Sequence, residues 1–188
     1  MKKELRRQML QKLSEMNAVK KEWQINNIHQ ALFETPEWAA AKTIAITVSI
    51  KWEIPTELII EKAWEEGKIV GVPKCDPRTN EMQFRQIKQF GQVKKTYGNL
   101  YEPLVDETEM MEKSTIDLMV VPGICFGRNG FRIGYGGGYF DRYLVNFSGR
   151  TLSLAYSFQV IPEVPHFPHD IPVEQIVTEK EIIHCPAE

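Results

Sequence analysis

The chain has 188 residues, of which 43% are hydrophobic and 26% are charged, as is typical of one globular domain over residues 1–188. Its formal net charge of -2 provides no global basic field for nucleic acid, and no run of about 18 apolar residues could span a membrane. The charged start MKKELRRQML has no signal-peptide core, and three widely spaced cysteines indicate reduced thiols, so we expect a cytoplasmic protein.

Two amphipathic helices are predicted at the N-terminal end of the chain. Leu5, Met9, Leu13 and Met16 recur at helical spacing, and a second helical stretch runs from about residue 17 to residue 33. Each helix presents an apolar face, so each is expected to cover part of a core.

Strand-like segments alternate with helices through the rest of the chain. The apolar, β-branched run TIAITVSI over residues 43–50 predicts a buried strand. Thr56 is placed to cap a helix through Glu66, which Gly67 would end. Further strands are predicted over residues 68–72, 81–87, 116–121, 151–156 and 175–178. This alternation favours an α/β sheet with helices on both faces, in a strand order that spacing alone does not give.

The most informative segment is PGICFGRNGFRIGYGGGYFDRYL, residues 122–144. It follows a predicted buried strand and contains Gly134, Gly136, Gly137 and Gly138, which remove four Cβ atoms within five residues. The backbone there can adopt positive φ, and its N–H groups can approach a bulky anion. Apolar residues then fall on one helical face, so the loop leads into a helix N-terminus that also favours an anion.

Arg128 and Arg132 add positive charge to this loop in a protein whose overall charge is negative. The loop is not a P-loop, because GxxxxGK[ST] is absent, and GYGGGY lacks the spacing of a GxGxxG dinucleotide motif. A flexible turn is the alternative, but four glycines with two arginines at a strand-to-helix junction favour an anion site. Asp141, in the first helical turn, either complements the helix dipole or holds magnesium beside phosphates.

At these residues the sequence resembles the 5-formyltetrahydrofolate cyclo-ligase (5,10-methenyltetrahydrofolate synthetase) family. The resemblance covers nearly the whole chain, from a basic N-terminal helix and a Ser-x-x-x-Glu turn to a late Asp, and its specific part is Arg-x-Gly-x-Gly-x-Gly-Tyr-x-Asp. It implies a three-layer α/β sandwich with a mostly parallel central sheet, similar to sugar-phosphate isomerase and CoA-transferase folds. The sequence departs from the family at Gly127, Ile133 and Phe140, where Asp, Leu and Tyr are common.

The resemblance implies that the N-terminal helix and the glycine-rich loop bind ATP together. Lys2 with Arg6 and Lys3 with Arg7 are i, i+4 pairs, so each pair makes one cationic edge of a helix. Without the resemblance, these four residues would be interpreted as a solvated helix face. The implied ATP-binding residues are Lys2, Lys3, Arg6, Arg7, Arg132, Gly134, Gly136, Gly137, Gly138, Tyr139 and Phe140.

The resemblance also implies a reduced-folate site that shares part of this loop. A carboxylate such as Glu53 can accept hydrogen bonds from the amino and amide groups of a pterin, and Val48 offers an apolar wall. Of the aromatic residues Trp52, Tyr97 and Tyr135, only Tyr135 is expected to stack on the pterin. The implied substrate-binding residues are Val48, Glu53, Tyr135, Gly136, Gly137, Gly138 and Tyr139.

Asp141 and Asp170 are the implied metal ligands, and oxygen ligands beside ATP indicate Mg²⁺. His166 and His169 lie near Asp170, but no third ligand has the spacing of a transition-metal site, which favours ordinary loop histidines. The expected partners are small molecules, a reduced folate and ATP, with no nucleic acid and no membrane, and a monomer is expected.

The implied reaction converts 5-formyltetrahydrofolate to 5,10-methenyltetrahydrofolate with release of ADP and phosphate, through a phosphorylated formyl intermediate. Because the protein would mainly position the reactants and stabilise charge, Arg132 and Tyr139 are the implied catalytic residues. Two alternatives remain open: a phosphate-ligand isomerase or CoA-transferase-like enzyme, and a nucleotide-binding module without catalysis.

Overall fold

The computed structural model describes residues 1–186 and builds the chain around one central sheet of eight strands. The helices are α1 (Lys2–Ser14), α2 (Ala18–Phe33), α3 (Pro36–Ala40), α4 (Glu57–Glu65) and α5 (Tyr139–Leu144). The strands are β1 (Thr43–Ala45), β2 (Ile69–Asp76), β3 (Glu81–Ile87), β4 (Val93–Lys95), β5 (Tyr101–Pro103), β6 (Glu109–Met110), β7 (Leu118–Val120), β8 (Cys125–Gly127), β9 (Arg132–Ile133), β10 (Arg150–Leu154), β11 (Val160–Ile161), β12 (Gln175–Val177) and β13 (Ile182–His184).

The large sheet has the strand order β13-β12-β10-β7-β1-β2-β3-β6. Its central strands, from β12 to β2, pair in parallel, and β13, β3 and β6 add antiparallel pairs at the two edges. Two small sheets, β11-β8-β9 and β4-β5, complete the strand pairing. The predicted α/β fold with a mostly parallel central sheet is confirmed.

Helices cover both faces of the large sheet. Successive strand residues point to opposite faces, so Ile44 and Leu118 pack in a larger core with buried residues of α1 to α4. Ala45 and Met119 point the other way and pack in a smaller core with Leu144 of α5. The result is the predicted three-layer arrangement.

The two N-terminal helices form where the sequence predicts them. Met9 and Leu13 of α1 are buried, which confirms the predicted apolar face. The side chain of Asn17 caps α2 by accepting hydrogen bonds from the N–H groups of Val19 at 3.0 Å and Lys20 at 3.2 Å. Over the described part of the chain, no helix combines the length and apolarity that crossing a membrane requires.

The strand predicted over residues 43–50 is shorter in the structure. β1 ends at Ala45, and the chain then leaves the large sheet, although Val48 forms an isolated bridge with Tyr101. This early departure matters for the site, because residues after β1 turn across one end of the sheet and become part of a cavity wall.

Thr56 stands at the N-cap position of α4, as predicted, but its hydroxyl does not bond to the helix. The hydroxyl of Thr56 donates to the carbonyl of Thr47 at 2.6 Å and accepts from the N–H of Ser49 at 2.9 Å, so it braces the preceding turn. No side-chain hydrogen bond caps the helix at this position. The predicted end at Gly67 is confirmed by a left-handed φ of 73°.

Candidate functional site

A cavity of about 890 Å³ lies where α1, the turn after β1, the β4–β5 hairpin and the glycine-rich loop meet. It collects most of the site residues that the sequence predicts. Those lining it are Lys2, Arg6, Val48, Glu53, Arg132, Gly134, Tyr135, Gly136, Gly137, Gly138, Tyr139, Phe140, Asp141 and Asp170.

The cavity has two chemically different walls. The cationic wall consists of Lys2, Arg6 and Arg132 with the carboxylates of Asp141 and Asp170. The apolar wall consists of Val48, Ile50, Pro73, Leu100 and Tyr101, with Glu53 beside it. The glycine loop, which is residues 134–138, also lines the cavity.

The glycine loop leaves its backbone amides available. Among the hydrogen bonds of residues 1–186, none is donated by the N–H groups of residues 134–138, which are exposed or half-buried. Gly136 and Gly138 have φ values of 107° and 66°, which L side chains rarely adopt. A Cβ at Gly138 would also lie 2.9 Å from Nη1 of Arg142. Glycine is therefore required at both positions, and the loop can accept an anion on its amides.

Arg132 is held beneath the loop by two fixed acceptors. Its Nη1 donates to the carbonyl of Ile171 at 2.7 Å, and its Nη2 donates to Oδ1 of Asp141 at 3.0 Å. The same Oδ1 accepts the N–H of Ile171 at 3.1 Å. Burial lowers the pKa of Arg132 and the charge of Asp141 opposes this change, so the guanidinium keeps its positive charge.

Asp170 forms an ion pair with Lys2, at the beginning of α1. Its Oδ2 accepts from Nζ of Lys2 at 2.5 Å and from the N–H of Phe167 at 2.8 Å. Burial by itself would raise the pKa of Asp170, but the hydrogen bonds from Lys2 and Phe167 outweigh burial and hold it below its usual value. Asp170 therefore enters the site as a carboxylate.

Only one of the two cationic edges of α1 faces the cavity. Lys2 belongs to the cationic wall, and Nε of Arg6 donates to the carbonyl of Gly134 at 2.8 Å. Lys3 and Arg7 are exposed and do not line the cavity, and Nη2 of Arg7 pairs with Oε1 of Glu4 at 2.6 Å. Since the two edges lie about 100° apart on the helix, docking one against the loop turns the other to solvent.

Glu53 is the ionisable residue beside the apolar wall. Its Oε2 accepts the N–H of Ile50 at 2.8 Å. Burial, with a smaller contribution from the charge of Glu57, raises the pKa of Glu53 to about 7. Tyr135, the predicted stacking residue, lies at the same cavity with 45% of its surface exposed. Trp52 and Tyr97 do not line this cavity.

Glu102 lines the cavity and was not predicted. It is 2% exposed and accepts hydrogen bonds from the N–H of Cys75 at 2.8 Å, from Thr96 Oγ1 at 2.8 Å and from Lys74 Nζ at 3.1 Å. These bonds fasten the β4–β5 hairpin to β2. No spacing signal marks Glu102, because the strands of this hairpin are only three residues long.

Arg128 is not brought to the cavity, contrary to the interpretation of both arginines as part of one cationic site. Its Nη1 and Nη2 donate to the two carboxylate oxygens of Glu181, each at 2.9 Å, on the surface. His166 is likewise occupied elsewhere, since its ring stacks on Phe131 with centroids 3.8 Å apart.

Comparison with known proteins decides which family this arrangement belongs to. The model of the 5-formyltetrahydrofolate cyclo-ligase family matches residues 1–179. The chain belongs to this family. The predicted family is confirmed, and with it the prediction that the chain is an enzyme of the ligase class.

Relatives of this cyclo-ligase family member match along most of its length. The 5-formyltetrahydrofolate cyclo-ligase of Mus musculus is 28% identical over 95% of this chain and 93% of its own length. That of Escherichia coli K12 is 27% identical over 78% of this chain and 83% of its own. The solved structure of Aquifex aeolicus 5,10-methenyltetrahydrofolate synthetase superimposes with a TM-score of 0.86 at 29% identity, covering 100% of this chain and 94% of that one.

The departure from the family at Gly127 lies away from the cavity. Gly127 is in β8, and a Cβ there would meet Oδ1 of Asn129 at 2.5 Å and the backbone nitrogen of Val164 at 3.1 Å. An aspartate would thus require local repacking. Because Gly127 does not line the cavity, the lack of the aspartate that is common in the family removes no side chain from the cavity walls.

The donor set of the cationic wall fits a magnesium ion held jointly with a ligand. Within residues 1–186, there is no cluster of three or more His, Cys, Asp or Glu able to hold a metal. Asp141 and Asp170 line one cavity, and their other oxygens, Oδ2 and Oδ1 respectively, accept no hydrogen bond from described residues. Mg²⁺ is commonly held by one or two carboxylates plus phosphate oxygens and water.

Proposed function

We propose that the chain uses ATP and Mg²⁺ to convert 5-formyltetrahydrofolate to 5,10-methenyltetrahydrofolate, releasing ADP and phosphate. One observation carries the proposal: a single cavity joins free loop amides and a cationic wall to an apolar wall bearing a carboxylate. Family membership supports the same reaction.

In the proposed complex, the triphosphate of ATP lies against the glycine loop and the cationic wall. The loop amides donate to phosphate oxygens, and Lys2, Arg6 and Arg132 supply full positive charges around them. Lys3 and Arg7 contribute less, because they lie outside the cavity. Asp141 and Asp170 would hold a magnesium ion, which would neutralise part of the phosphate charge.

The reduced pterin is proposed to lie against the apolar wall. Val48 packs on the ring system, Tyr135 covers it from the cavity mouth, and Glu53 accepts hydrogen bonds from its amino and amide groups. Because donors from the pterin favour the ionised carboxylate, binding is expected to lower the pKa of Glu53 from its value of about 7.

The chemistry needs an activated formyl oxygen. The oxygen of the formyl group that N5 carries attacks the γ-phosphorus of ATP, the bond to the β-phosphate oxygen breaks, and ADP leaves. N10 then attacks the formyl carbon and loses its proton, and phosphate departs with the former formyl oxygen as the ring closes. Arg132 keeps Asp141 oriented and adds fixed positive charge, while Tyr139 lines the cavity directly after the loop and can donate its hydroxyl to a transferring oxygen.

An absorbance assay tests this proposal. Purified chain and 5-formyltetrahydrofolate are mixed with ATP and Mg²⁺, with each omitted in turn, and with a non-hydrolysable ATP analogue. We expect methenyl absorbance and stoichiometric ADP only when hydrolysable ATP and Mg²⁺ are both present. Product without ATP, or no product in any mixture from folded protein, would contradict the proposal.

We also propose that the active form is a monomer. The proposal rests on this chain by itself supplying the cationic wall, the glycine loop and the apolar wall of the cavity. Light scattering across a range of concentrations checks this, and activity per chain that rises with a dimer fraction would contradict it.

A further inference from the structure

Strand β2 runs past the end of β1, so one of its edges has no strand beside it at the cavity. β1 pairs with β2 over residues 69–71, whereas β3 pairs along β2 as far as Asp76. Main-chain N–H and C=O groups on such an edge need other partners when they are buried. Pro73 and Cys75, on this part of β2, line the cavity. A partner for the edge must therefore come from another element at the cavity.

The carboxylate of Glu102, in β5, bonds to this edge. Its Oε2 accepts from the N–H of Cys75 at 2.8 Å, and its Oε1 accepts from Nζ of Lys74 at 3.1 Å and from Oγ1 of Thr96 at 2.8 Å. Both oxygens are thus engaged, and Glu102 is 2% exposed. A buried carboxylate that accepts from three donors holds β5 at a fixed place on β2.

The bonds of Glu102 are the side-chain anchor of the β4–β5 hairpin. Within the described part of the chain, the other side-chain hydrogen bond of residues 93–103 joins Thr96 to Leu100 inside the hairpin. Tyr101 also forms an isolated backbone bridge with Val48. A hairpin of two strands is marginally stable by itself, so its position depends on anchors of this kind.

The hairpin carries part of the apolar wall. Leu100 and Tyr101 line the cavity, and the backbone bridge places Tyr101 beside Val48 of the same wall. Both residues directly precede Glu102 in the chain. A shift of β5 therefore moves two side chains of the apolar wall together.

We propose that Glu102 is a positioning residue for the reduced folate: by fixing β5 on β2, it holds Leu100 and Tyr101 where they contact the pterin. This rests on the proposed function, which places the pterin at the apolar wall. Glu102 acts through the hairpin, because protein donors already engage its two oxygens. The glycine loop and the cationic wall come from other elements, so ATP binding does not depend on Glu102.

Glu102→Gln tests the proposal, because it keeps the shape of the side chain. An amide has one acceptor oxygen, so its NH2 group would face at least one of the three donors. Calorimetry on the full chain measures the Kd of 5-formyltetrahydrofolate without ATP, and the Kd of a non-hydrolysable ATP analogue with Mg²⁺. We expect the folate Kd to rise about fivefold to twentyfold, because two wall side chains must then be ordered on binding, and the analogue Kd to change less than about twofold.

Glu109→Gln, at an exposed position of β6, is the matched control and should leave both Kd values unchanged. If the unsubstituted chain binds folate and Glu102→Gln binds it equally well, the positioning role is wrong while the proposed function stands. Equal weakening of both ligands would also overturn the positioning role, since it indicates a general loss of structure. If the unsubstituted chain binds no folate, the proposed function fails and the positioning role fails with it.

Hydrogen exchange measured by mass spectrometry separates positioning from direct contact. Without ligand, peptides from residues 93–103 should exchange at least about threefold faster in Glu102→Gln, and by a smaller factor in Lys74→Met, which removes one of the three donors. Peptides from β3, which pairs with the other edge of β2, should keep their rates. Weaker folate binding with unchanged exchange in the hairpin would mean that Glu102 touches the folate itself, and would overturn the positioning role.

Discussion

The carboxylates of the cationic wall have cationic partners, whereas the carboxylate beside the apolar wall has none among the described residues. On the cationic wall, Asp141 is paired with Arg132 at 3.0 Å and Asp170 with Lys2 at 2.5 Å. On the apolar wall, Glu53 has no cation as a partner among the described residues, and burial raises its pKa to about 7. The first wall has its ion pairs in place for the proposed phosphate ligand, whereas the charge of the second depends on pH and on the ligand.

The largest effect is expected from Arg132→Met, which removes a buried cation of the cationic wall. Asp141 would lose its charged partner, and we expect a loss of about 3 kcal/mol in the free energy of unfolding. Turnover should fall at least about 100-fold, because fixed charge near the phosphates is lost. Urea denaturation and kcat measure the two effects.

Arg128→Met is the control for Arg132→Met, since Arg128 also forms an ion pair but lies on the surface. Surface ion pairs contribute little, so stability and kcat should both remain close to those of the unsubstituted chain. Equal losses in the two variants would mean that the ion pair beneath the glycine loop has no special role.

Asp141→Asn removes the negative charge of a carboxylate in the same wall and keeps the shape of the side chain. We expect kcat to fall about 10- to 100-fold and the Mg²⁺ concentration for half-maximal rate to rise, with the folate KM nearly unchanged. Asp106→Asn, at an exposed position, is the control. An unaltered Mg²⁺ dependence in Asp141→Asn would remove this residue from the proposed metal site.

Glu53→Gln tests the apolar wall and should separate stability from binding. The native pKa of Glu53 is about 7 and the ordinary value is 4.5, so the folded state binds more protons between these values. The contribution of Glu53 to the free energy of unfolding is therefore fully present below pH 4.5 and is lost as pH rises to about 7. Gln has no such loss, so the variant should be more stable at pH 8 by about 1 to 2 kcal/mol, and equally stable near pH 4.5.

The same substitution should weaken folate binding. A charge-assisted hydrogen bond is replaced by a neutral one, so the folate KM at pH 8 is expected to rise about tenfold while the ATP KM stays constant. Melting curves at both pH values and steady-state kinetics give the readouts. A variant with lower stability at pH 8 would contradict the buried-carboxylate explanation.

The smallest effect is expected from Arg6→Ala, compared with Arg7→Ala. Arg6 contacts the glycine loop and lines the cavity, so its loss should raise the ATP KM by about threefold to tenfold. Arg7 faces solvent beside Glu4 and should change the ATP KM less than twofold. If the two variants behave alike, α1 contributes only a general positive field.

Sequence patterns predicted the parts of the site that are continuous in the chain. The glycine loop follows from four glycines within five residues, and its required left-handed conformations at Gly136 and Gly138 are present. The strand over residues 81–87 is reproduced by β3, because its alternation is long enough to be recognised. The resemblance to the cyclo-ligases supplied the more distant members, such as Glu53 and Asp170.

Spacing could not reveal which charged residues meet. Arg128 and Arg132 are four residues apart, yet one pairs with Glu181 on the surface and the other lies buried beside Asp141. The β4–β5 hairpin, with three-residue strands, carries too little periodicity to be predicted, so Glu102 was missed. Pairing across such distances depends on the order of strands in the sheet.

By itself, the sequence determined the backbone chemistry of the loop, the helical and strand periods, and the family, because these are encoded in neighbouring residues. Only the tertiary structure decided that Lys2 and Arg6 face the cavity while Lys3 and Arg7 do not, and that burial raises the pKa of Glu53 to about 7. The physical reason is that burial and ion pairing depend on which surfaces pack together, and packing is a property of segments far apart in the chain.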